Sequence, residues 1–407
     1  MKCGLLGEKL GHSYSPMIHS YLADYSYDLF EKKPDELKDF LQSGDFVGLN
    51  VTIPYKKSVI PFCDELTDCA KRLGAVNTII RRPDGSLLGH NTDYFGFSSL
   101  VVRSGLQVNG KKVLVLGSGG ASNTATAVLQ ELGAQVVIIS RSGENNYENL
   151  AKHKDASIIV NTTPVGMYPN AGVSPVDISL FPALDGVLDV VYNPARTQLI
   201  MDAEAAGLTA INGLWMLVAQ AKESAQWFAG TEIDNSAIDR IHRILRRKME
   251  NIVLIGMPGC GKSTVGKLIS EMSGKKFVDA DSRIEELAGI SIPEIFSQYG
   301  ESGFRALETK VLEQLGKESC LVIATGGGCV TVDKNYPLLH QNGTIYWLQR
   351  DIENLAIDGR PLSQKGNLQQ MYHLRQPMYR QFADRIIHNN RCPDDAATEI
   401  LKTEAFL

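Results

Sequence analysis

No run of apolar residues in this 407-residue chain reaches the length of a membrane-spanning helix, so a helical membrane protein is excluded at the outset. Paired cysteines are missing as well. Cys3, Cys63, Cys69, Cys260, Cys320, Cys329 and Cys392 stand singly, with no CxxC pair and no histidine spacing that would build a zinc site, and they read as reduced thiols. Charge of one sign is scarce in surplus: 41 basic against 46 acidic residues leave a net charge of −5, which offers nucleic acid no handle. The one basic cluster, residues 243–248, shares a helical pattern with Ile238, Ile241, Ile244 and Leu245 and reads as a solvated helix face. Internal repeats and low-complexity segments are absent. The amino terminus has one basic residue and a short apolar stretch broken by glycines, unlike a signal peptide, so a cytoplasmic location is expected, with no membrane or nucleic-acid partner and the oligomeric state left open.

What is present is ordinary soluble-protein composition, 43% apolar and 21% charged, in a chain too long for one core. Short β-branched runs alternate with helical patterns over most of its length, which predicts βαβ units and the α/β class. Runs at 112–116, 136–139, 157–160 and 186–191 are spaced as strands of one doubly wound sheet, and a second series starts at 252–255 and continues through 321–324 and 343–348. Between the series, a helix from about Ser236 to Lys248, capped by Asp234 or Asn235, runs almost directly into the strand at Ile252, leaving little room for a flexible tether.

After the strand at Val113 to Leu116 comes Gly117-Ser118-Gly119-Gly120-Ala121-Ser122 and then a helical stretch. Strand, glycine turn and helix in this order place backbone N–H groups and a helix N-terminus against a pyrophosphate, although Ser122 stands at the third glycine position. The following strand ends in Ser140-Arg141-Ser142, where a fold selecting NAD carries an acid, and an arginine there favours the 2′-phosphate of NADP over a plain surface role.

Four polar clusters lie upstream: residues 11–16 with Ser13 and Ser15, residues 50–56 with Thr52 and Lys56, residues 74–78 with Asn77, and residues 89–93 with Asp93. Each has a plain alternative, since Ser15-Pro16 suits a helix N-terminus, Lys56 has an exposed-looking neighbour in Lys57, and Asp93 suits a helix cap. In order, and continued by Asn161-Thr162-Thr163-Pro164-Val165-Gly166, Tyr192-Asn193-Pro194 and Gly213-Leu214-Trp215 through Gln220, they resemble the shikimate dehydrogenase family over residues 1–248. That resemblance implies a two-lobe unit, with a substrate lobe of residues 1–98 plus 212–248 and a Rossmann NADP lobe of residues 99–211. It implies a substrate site of Ser13, Ser15, Thr52, Asn77, Asp93, Tyr192 and Gln220, an NADP site of Gly117, Gly119, Gly120, Ala121, Ser140, Arg141, Thr163 and Gly213, and a catalytic dyad of Lys56 and Asp93. Chemistry agrees with the dyad: ketone reduction needs a proton at the developing alkoxide, and an ammonium oriented by a carboxylate supplies one.

Further along, Gly256-Met257-Pro258-Gly259-Cys260-Gly261-Lys262-Ser263 matches GxxxxGK[ST] between a strand and a helix. Its backbone N–H groups wrap phosphate, Lys262 reaches the β and γ oxygens, and the Ser263 hydroxyl suits Mg²⁺. A P-loop by itself does not name the acceptor. Asp279-Ala280-Asp281, residues 300–305 before Glu308, Thr325-Gly326-Gly327-Gly328, Arg360-Pro361 and Arg375 through Tyr379 follow in turn; Arg305 and Glu308 also suit an i,i+3 ion pair, and Arg375 a solvated helix face. Together these motifs resemble the shikimate kinase family over residues 251–407, a parallel α/β P-loop domain like the nucleoside-monophosphate kinases. The resemblance implies a shikimate site of Asp281, Arg305, Gly327, Gly328 and Arg375, with Asp281 taking the hydroxyl proton. It further implies an ATP site of Gly259, Cys260, Gly261, Lys262, Ser263, Thr264, Arg360 from a lid and Arg391 beside adenine, Mg²⁺ near Ser263 and Asp279, and a catalytic role for Lys262.

The expected function is therefore NADPH-dependent reduction of 3-dehydroshikimate to shikimate, followed by phosphorylation of shikimate with MgATP. Two alternatives stay open: a first domain that takes quinate and NAD, and a chain in which one domain is inactive and regulatory.

Overall fold

The computed structural model describes residues 1–11, 13–355 and 365–406, and Arg360 lies outside them. Contacts divide the chain into two compact units. One holds Met1–Val165, Ser174–Tyr192 and Asp202–His242, and the other holds Gly166–Val173, Asn193–Met201 and Arg243–Leu407.

The first unit begins with a six-stranded sheet of β1 (Lys2–Gly7), β2 (Ser26–Glu31), β3 (Gly48–Val51), β4 (Glu65–Leu66), β5 (Thr78–Arg81) and β6 (Leu87–His90), in the order β2-β1-β3-β5-β6-β4. β1 pairs in parallel with β2 and β3, while β5 runs antiparallel to β3 and β6, which is the mixed pattern of an α/β lobe carrying a hairpin. Helices α1 (Ser15–Ser20), α2 (Leu37–Ser43) and α3 (Asp68–Leu73) connect these strands, and Leu6, Leu41, Leu49, Val51, Tyr55 and Ile79 fill the core.

After α4 (Asp93–Ser104) the chain builds a parallel sheet of β7 (Lys112–Leu116), β8 (Gln135–Ile139), β9 (Ile158–Asn161), β10 (Gly186–Asp189) and β11 (Thr209–Ile211), in the order β11-β10-β9-β7-β8. The expected strands are present, shifted by a residue or two at their ends. Val113 to Leu116 and Ile158 to Val160 are fully buried, because parallel strands covered on both faces need unbroken apolar runs. From β7 the chain goes outward to β8 and then crosses to β9 on the other side of β7. The ends of β7 and β9 thus flank the topological switch, where open parallel sheets bind ligands. Helices α5 (Gly120–Glu131) and α7 (Leu214–Ala229) complete this part, while α6 (Gln198–Ala205) and α8 (Ser236–Met249) each run along the chain from one unit's residues into the other's. α4 and α7 approach closely at Gly96, where a Cβ would lie 2.9 Å from the Met216 carbonyl.

In the second unit β12 (Asn251–Ile255), β13 (Lys276–Asp279), β14 (Leu321–Ala324), β15 (Gly343–Gln349) and β16 (Arg385–His388) form an all-parallel sheet in the order β13-β14-β12-β15-β16. Its helices are α9 (Lys262–Ser273), α10 (Ala280–Ala288), α11 (Ile292–Lys317), α12 (Asn335–His340), α13 (Lys365–Phe382) and α14 (Pro393–Phe406). α11 is broken at Gly300, whose φ of 67° and ψ of −174° lie outside the helical region and suit glycine. Glu250 alone separates α8 from β12, in line with the little room for a tether read from the sequence. The short upstream stretch Asn193–Met201 is held in this unit by backbone bonding. Ala195 N–H donates to Asn342 Oδ1 at 2.8 Å, and Arg196 N–H donates to the Gln341 carbonyl at 2.8 Å.

Two local expectations are corrected. Ser15 is the first residue of α1 with Tyr14 as its N-cap, because the backbone turns into helix one residue earlier. Thr92, and not Asp93, caps α4; the Asp93 N–H is taken by Asn91 Oδ1 at 3.0 Å, which leaves the Asp93 carboxylate free for another partner. Among the described residues no helix is long and apolar enough to cross a membrane.

Candidate active sites

The first site sits where β3, β5, α4 and α7 meet. Lys56 follows β3 in a loop pinned by the buried Tyr55, whose hydroxyl donates to the Lys32 carbonyl at 2.6 Å, and by Val76 N–H, which donates to the Lys56 carbonyl at 2.7 Å. Lys56 Nζ lies 2.6 Å from Asp93 Oδ2, with side chains 30% and 13% exposed, so the ammonium reaches solvent while the carboxylate stays largely enclosed. Asn77 is buried between them and α7, accepting from Thr92 N–H at 2.7 Å and donating from Nδ2 to Gln220 Oε1 at 3.1 Å. Thr52 is half-buried at the head of the Lys56 loop, its N–H donating to the Leu6 carbonyl at 3.0 Å. Ser13 and Ser15 meet at the start of α1, where Ser15 N–H donates to Ser13 Oγ at 3.2 Å. Tyr192 packs edge-on against Tyr14, with ring centroids 6.4 Å apart, and burial pushes its phenol pKa up.

Two polar residues of this region escaped the sequence reading, Tyr27 and Ser224, and two more, Asn50 and Thr78, stood inside its polar clusters without a role of their own. Asn50 accepts from the Tyr27 hydroxyl at 2.8 Å and donates to Ser224 Oγ at 2.7 Å. Strand alternation puts Asn50 on the same face as Thr52, and Ser224 lies one turn beyond Gln220, so both periodicities carried the signal. Behind them His19 stacks on Tyr27 at 4.0 Å, and burial lowers its pKa to about 3.

At the switch point, Gly117 has a φ of 110°, and a Cβ there would press on Thr162 and Thr163 at about 3 Å. Gly119 is the N-cap of α5 with no side chain in the cap, and Cβ atoms at Gly119 and Gly120 would meet nothing. The first turn of α5, which includes Ala121, thus offers unsatisfied N–H groups to open space, which fits a dinucleotide pyrophosphate. Ser122 points into the fold and is fully buried. Thr163 is set by Asn161, whose Oδ1 accepts from the Thr163 N–H at 3.0 Å and hydroxyl at 2.7 Å; Asn161 is itself fixed by Asp189 at 3.0 Å. Ser140 N–H donates to the Asn145 carbonyl at 3.1 Å, closing a compact turn on which Arg141 is exposed beside Tyr147. An exposed guanidinium at that turn fits a 2′-phosphate. Gly213 caps α7 where a Cβ would stand 2.0 Å from the Val190 carbonyl, so no larger residue fits.

In the second unit the P-loop follows β12, with Gly256, Gly259 and Gly261 at φ of 145°, 83° and 96°. Lys262 is buried and donates to the Gly256 and Met257 carbonyls at 2.9 and 3.1 Å, bracing the loop. Ser263 Oγ donates to Asp279 Oδ2 at 2.7 Å. A hydroxyl and a carboxylate at a P-loop fit Mg²⁺, which binds through few protein oxygens and keeps several waters. Cys260 is buried, its carbonyl accepting from Asn389 Nδ2 at 2.8 Å; Thr264 and Arg391 are exposed.

The acceptor residues gather next to that loop. A Cβ at Gly327 would touch Pro258 of the P-loop, one at Gly328 would lie 2.1 Å from the Arg305 guanidinium, and one at Gly326 would lie 2.8 Å from both Asp281 Oδ1 and Glu308 Oε1. Three glycines thereby let a strand end approach two carboxylates, a guanidinium and the phosphate loop. Arg375 is half-buried and donates to the Gly327 carbonyl at 3.1 Å, which corrects the solvated-face alternative. Tyr379 donates to the same carbonyl. The Arg305–Glu308 pair is real, at 2.8 Å, yet it leaves Arg305 Nε and Glu308 Oε1 buried without a partner among the described residues. Burial raises the Glu308 pKa against the pull of Arg305. Buried unpaired polar atoms beside a glycine cradle are what a polar ligand site contains before its ligand binds.

Family models match residues 5–79 as a shikimate dehydrogenase substrate binding domain and residues 258–404 as shikimate kinase. The NADP(+) shikimate dehydrogenase of Clostridium perfringens is 36% identical over 265 residues, which span 60% of this chain and 97% of that one. Shikimate dehydrogenase 1 of Peptoclostridium difficile superposes with a TM-score of 0.55 at 38% identity, covering 60% of this chain and 97% of that one. Quinate dehydrogenase of Corynebacterium glutamicum in complex with NAD superposes with a TM-score of 0.55 at 27% identity, over 60% and 98% of the two chains. With the Lys56–Asp93 pair, the glycine turn and the P-loop in the places described, this chain belongs to the shikimate dehydrogenase family and carries a shikimate kinase domain after it.

Proposed function

We propose that residues 1–248 reduce 3-dehydroshikimate to shikimate and that residues 251–407 phosphorylate the shikimate so formed. The observation that carries this reading is that the Ser13–Ser15 pair in one unit has its counterpart in Arg305 and Arg375 beside the P-loop of the other. The two sets of groups suit the same small hydroxylated carboxylate.

Gly117, Gly119, Gly120, Ala121, Ser140, Arg141, Thr163 and Gly213 would hold NADPH, which would supply hydride to the ketone carbon. Lys56 then gives its proton to the carbonyl oxygen as negative charge develops there, and Asp93 holds the ammonium in line. Ser13 and Ser15 bind the substrate carboxylate, and Thr52, Asn77, Asp93, Tyr192 and Gln220 surround the ring. In the kinase, Gly259 to Thr264 and Arg391 would hold ATP, and Ser263 and Asp279 would hold Mg²⁺, which would neutralise phosphate charge. Asp281 accepts the proton of the attacking hydroxyl, Arg305 and Arg375 clamp the carboxylate over Gly327 and Gly328, and Lys262 neutralises charge on the transferring phosphoryl group. NADPH and ATP are drawn from the cytoplasm, and the reading places the chain there.

One coupled assay tests it. Given 3-dehydroshikimate, NADPH and ATP, the purified chain should consume NADPH and release ADP in succession. No NADPH loss sinks the first half, and no ADP release when shikimate is supplied directly sinks the second. The likeness to quinate dehydrogenase favours one competing reading, a quinate and NAD enzyme; Arg141 opposes it, and kcat/KM for the two substrates against the two cofactors decides.

A further inference from the structure

Ser224 lies on α7, is fully buried and touches no open space, yet its hydroxyl has four polar neighbours. Asn50 Nδ2 stands 2.7 Å away, the Gln220 carbonyl 2.9 Å, Thr92 Oγ1 3.1 Å and Thr78 Oγ1 3.2 Å. A hydroxyl has one proton and two lone pairs. The Gln220 carbonyl only accepts and the Asn50 amide nitrogen only donates, so Ser224 donates to the first, accepts from the second and has one lone pair left for a threonine hydroxyl. Asn50 is fixed from its other end, because its Oδ1 accepts from Tyr27 at 2.8 Å.

The same reasoning settles Asn77. The backbone N–H of Thr92 can only donate, and it lies 2.7 Å from Asn77 Oδ1. The Thr78 hydroxyl lies 3.0 Å from that oxygen. Asn77 Nδ2 therefore faces Gln220 Oε1, and the Gln220 amide nitrogen is turned away from Asn77. Asn77 and Gln220 consequently present N–H donors, while Asp93 is the acceptor. The serine and threonine hydroxyls add a second anchor between α7 and the Asn77 strand, one helical turn from the Asn77–Gln220 bond.

Resting on the reading of this site as the 3-dehydroshikimate site, we propose that Ser224 is a positioning residue: its hydroxyl ties α7 to Asn50, Thr78 and Thr92 and so holds Gln220, one turn earlier on α7, against Asn77, whose amide the Thr92 N–H orients. It acts through these residues and touches no substrate itself.

The test uses the full chain and steady-state kinetics with both substrates varied. Ser224→Ala should raise the KM for 3-dehydroshikimate about tenfold, the scale of one net hydrogen bond, with kcat within about threefold and the NADPH KM unchanged. Ser224→Thr, which restores the hydroxyl, should recover most of the loss. Thr78→Val, a nearly isosteric removal of a second hydroxyl, should raise the same KM and serves as the readout if Ser224→Ala does not fold. A 3-dehydroshikimate KM within twofold of the parent in the folded variants overturns the proposal, as does a loss that falls equally on kcat and both KM values, which marks plain destabilisation. A parent chain that turns over no 3-dehydroshikimate overturns the substrate reading and this proposal with it; parent turnover with unchanged variants overturns this proposal alone.

Discussion

Lys56 Nζ and Asp93 Oδ2 stand 2.6 Å apart although 37 residues separate them in sequence. The pair forms because the loop after β3 and the first turn of α4 close on the same side of the mixed sheet. Among the described residues Lys56 Nζ is the hydrogen-bond donor to the Asp93 carboxylate, while Asn91 Oδ1 accepts from the Asp93 N–H at the helix start. Lys56→Ala should lower kcat for 3-dehydroshikimate reduction about a hundredfold or more while NADPH binding, read by fluorescence titration, is retained. A fall of less than about tenfold would remove Lys56 from the proton-donor role.

Arg375 and Arg305 reach the second site from different helices, and only the glycines at 326–328 make room for them. Arg375→Ala should raise the shikimate KM by about a hundredfold, the worth of a charge-assisted hydrogen bond, with the ATP KM nearly unchanged. Equal loss for both ligands would refute the carboxylate contact. Gly328→Ala should mimic it, since its Cβ would displace the Arg305 guanidinium.

Ser263 and Asp279 already share a hydrogen bond of 2.7 Å, so two oxygens stand together at the foot of the P-loop. Removing the hydroxyl with Ser263→Ala should shift the Mg²⁺ dependence of ADP release to concentrations about tenfold higher or more, and excess Mg²⁺ should restore part of the rate. Dehydrogenase activity, measured in the same tube with EDTA, should not respond to the metal at all.

Burial holds His19 neutral, with its pKa lowered to about 3 against an ordinary value of 6.5. Between those values the unfolded chain binds a proton that the folded chain refuses, so stability rises with pH through this window and is lost as pH falls through it. His90, lowered to about 4 by burial, adds to the same trend. His19→Gln should flatten the dependence of unfolding free energy on pH between about 4 and 6 by up to one proton, about 1.4 kcal/mol per pH unit. A parallel pair of curves for parent and variant would contradict it.

Much of this was legible along the chain. The turn at Gly117, the P-loop at Gly256 to Ser263 and the strands around them follow from local rules, because a glycine cradle between a strand and a helix N-terminus is specified by adjacent residues. Ser224 and Tyr27 were not, and Asn50 stood in the 50–56 cluster with no role of its own. A serine inside an apolar helix and an asparagine in a strand are locally unremarkable, and their meaning arises only when α7 is laid against β3. Arg375 was ambiguous for the same reason: helical periodicity marks a face, but which face meets the Gly327 carbonyl is a tertiary matter.

The order of residues by itself determined that two phosphate-binding turns of different kinds sit in one α/β chain with little room for a tether at Glu250, since turns, helix starts and strand runs are short-range chemistry. Tertiary structure decided which donor faces which acceptor. It joined Lys56 to Asp93, left Arg305 Nε and Glu308 Oε1 buried and unpaired among the described residues, and fixed the Asn77 amide through a backbone N–H, because hydrogen-bond direction depends on atoms brought together from distant segments.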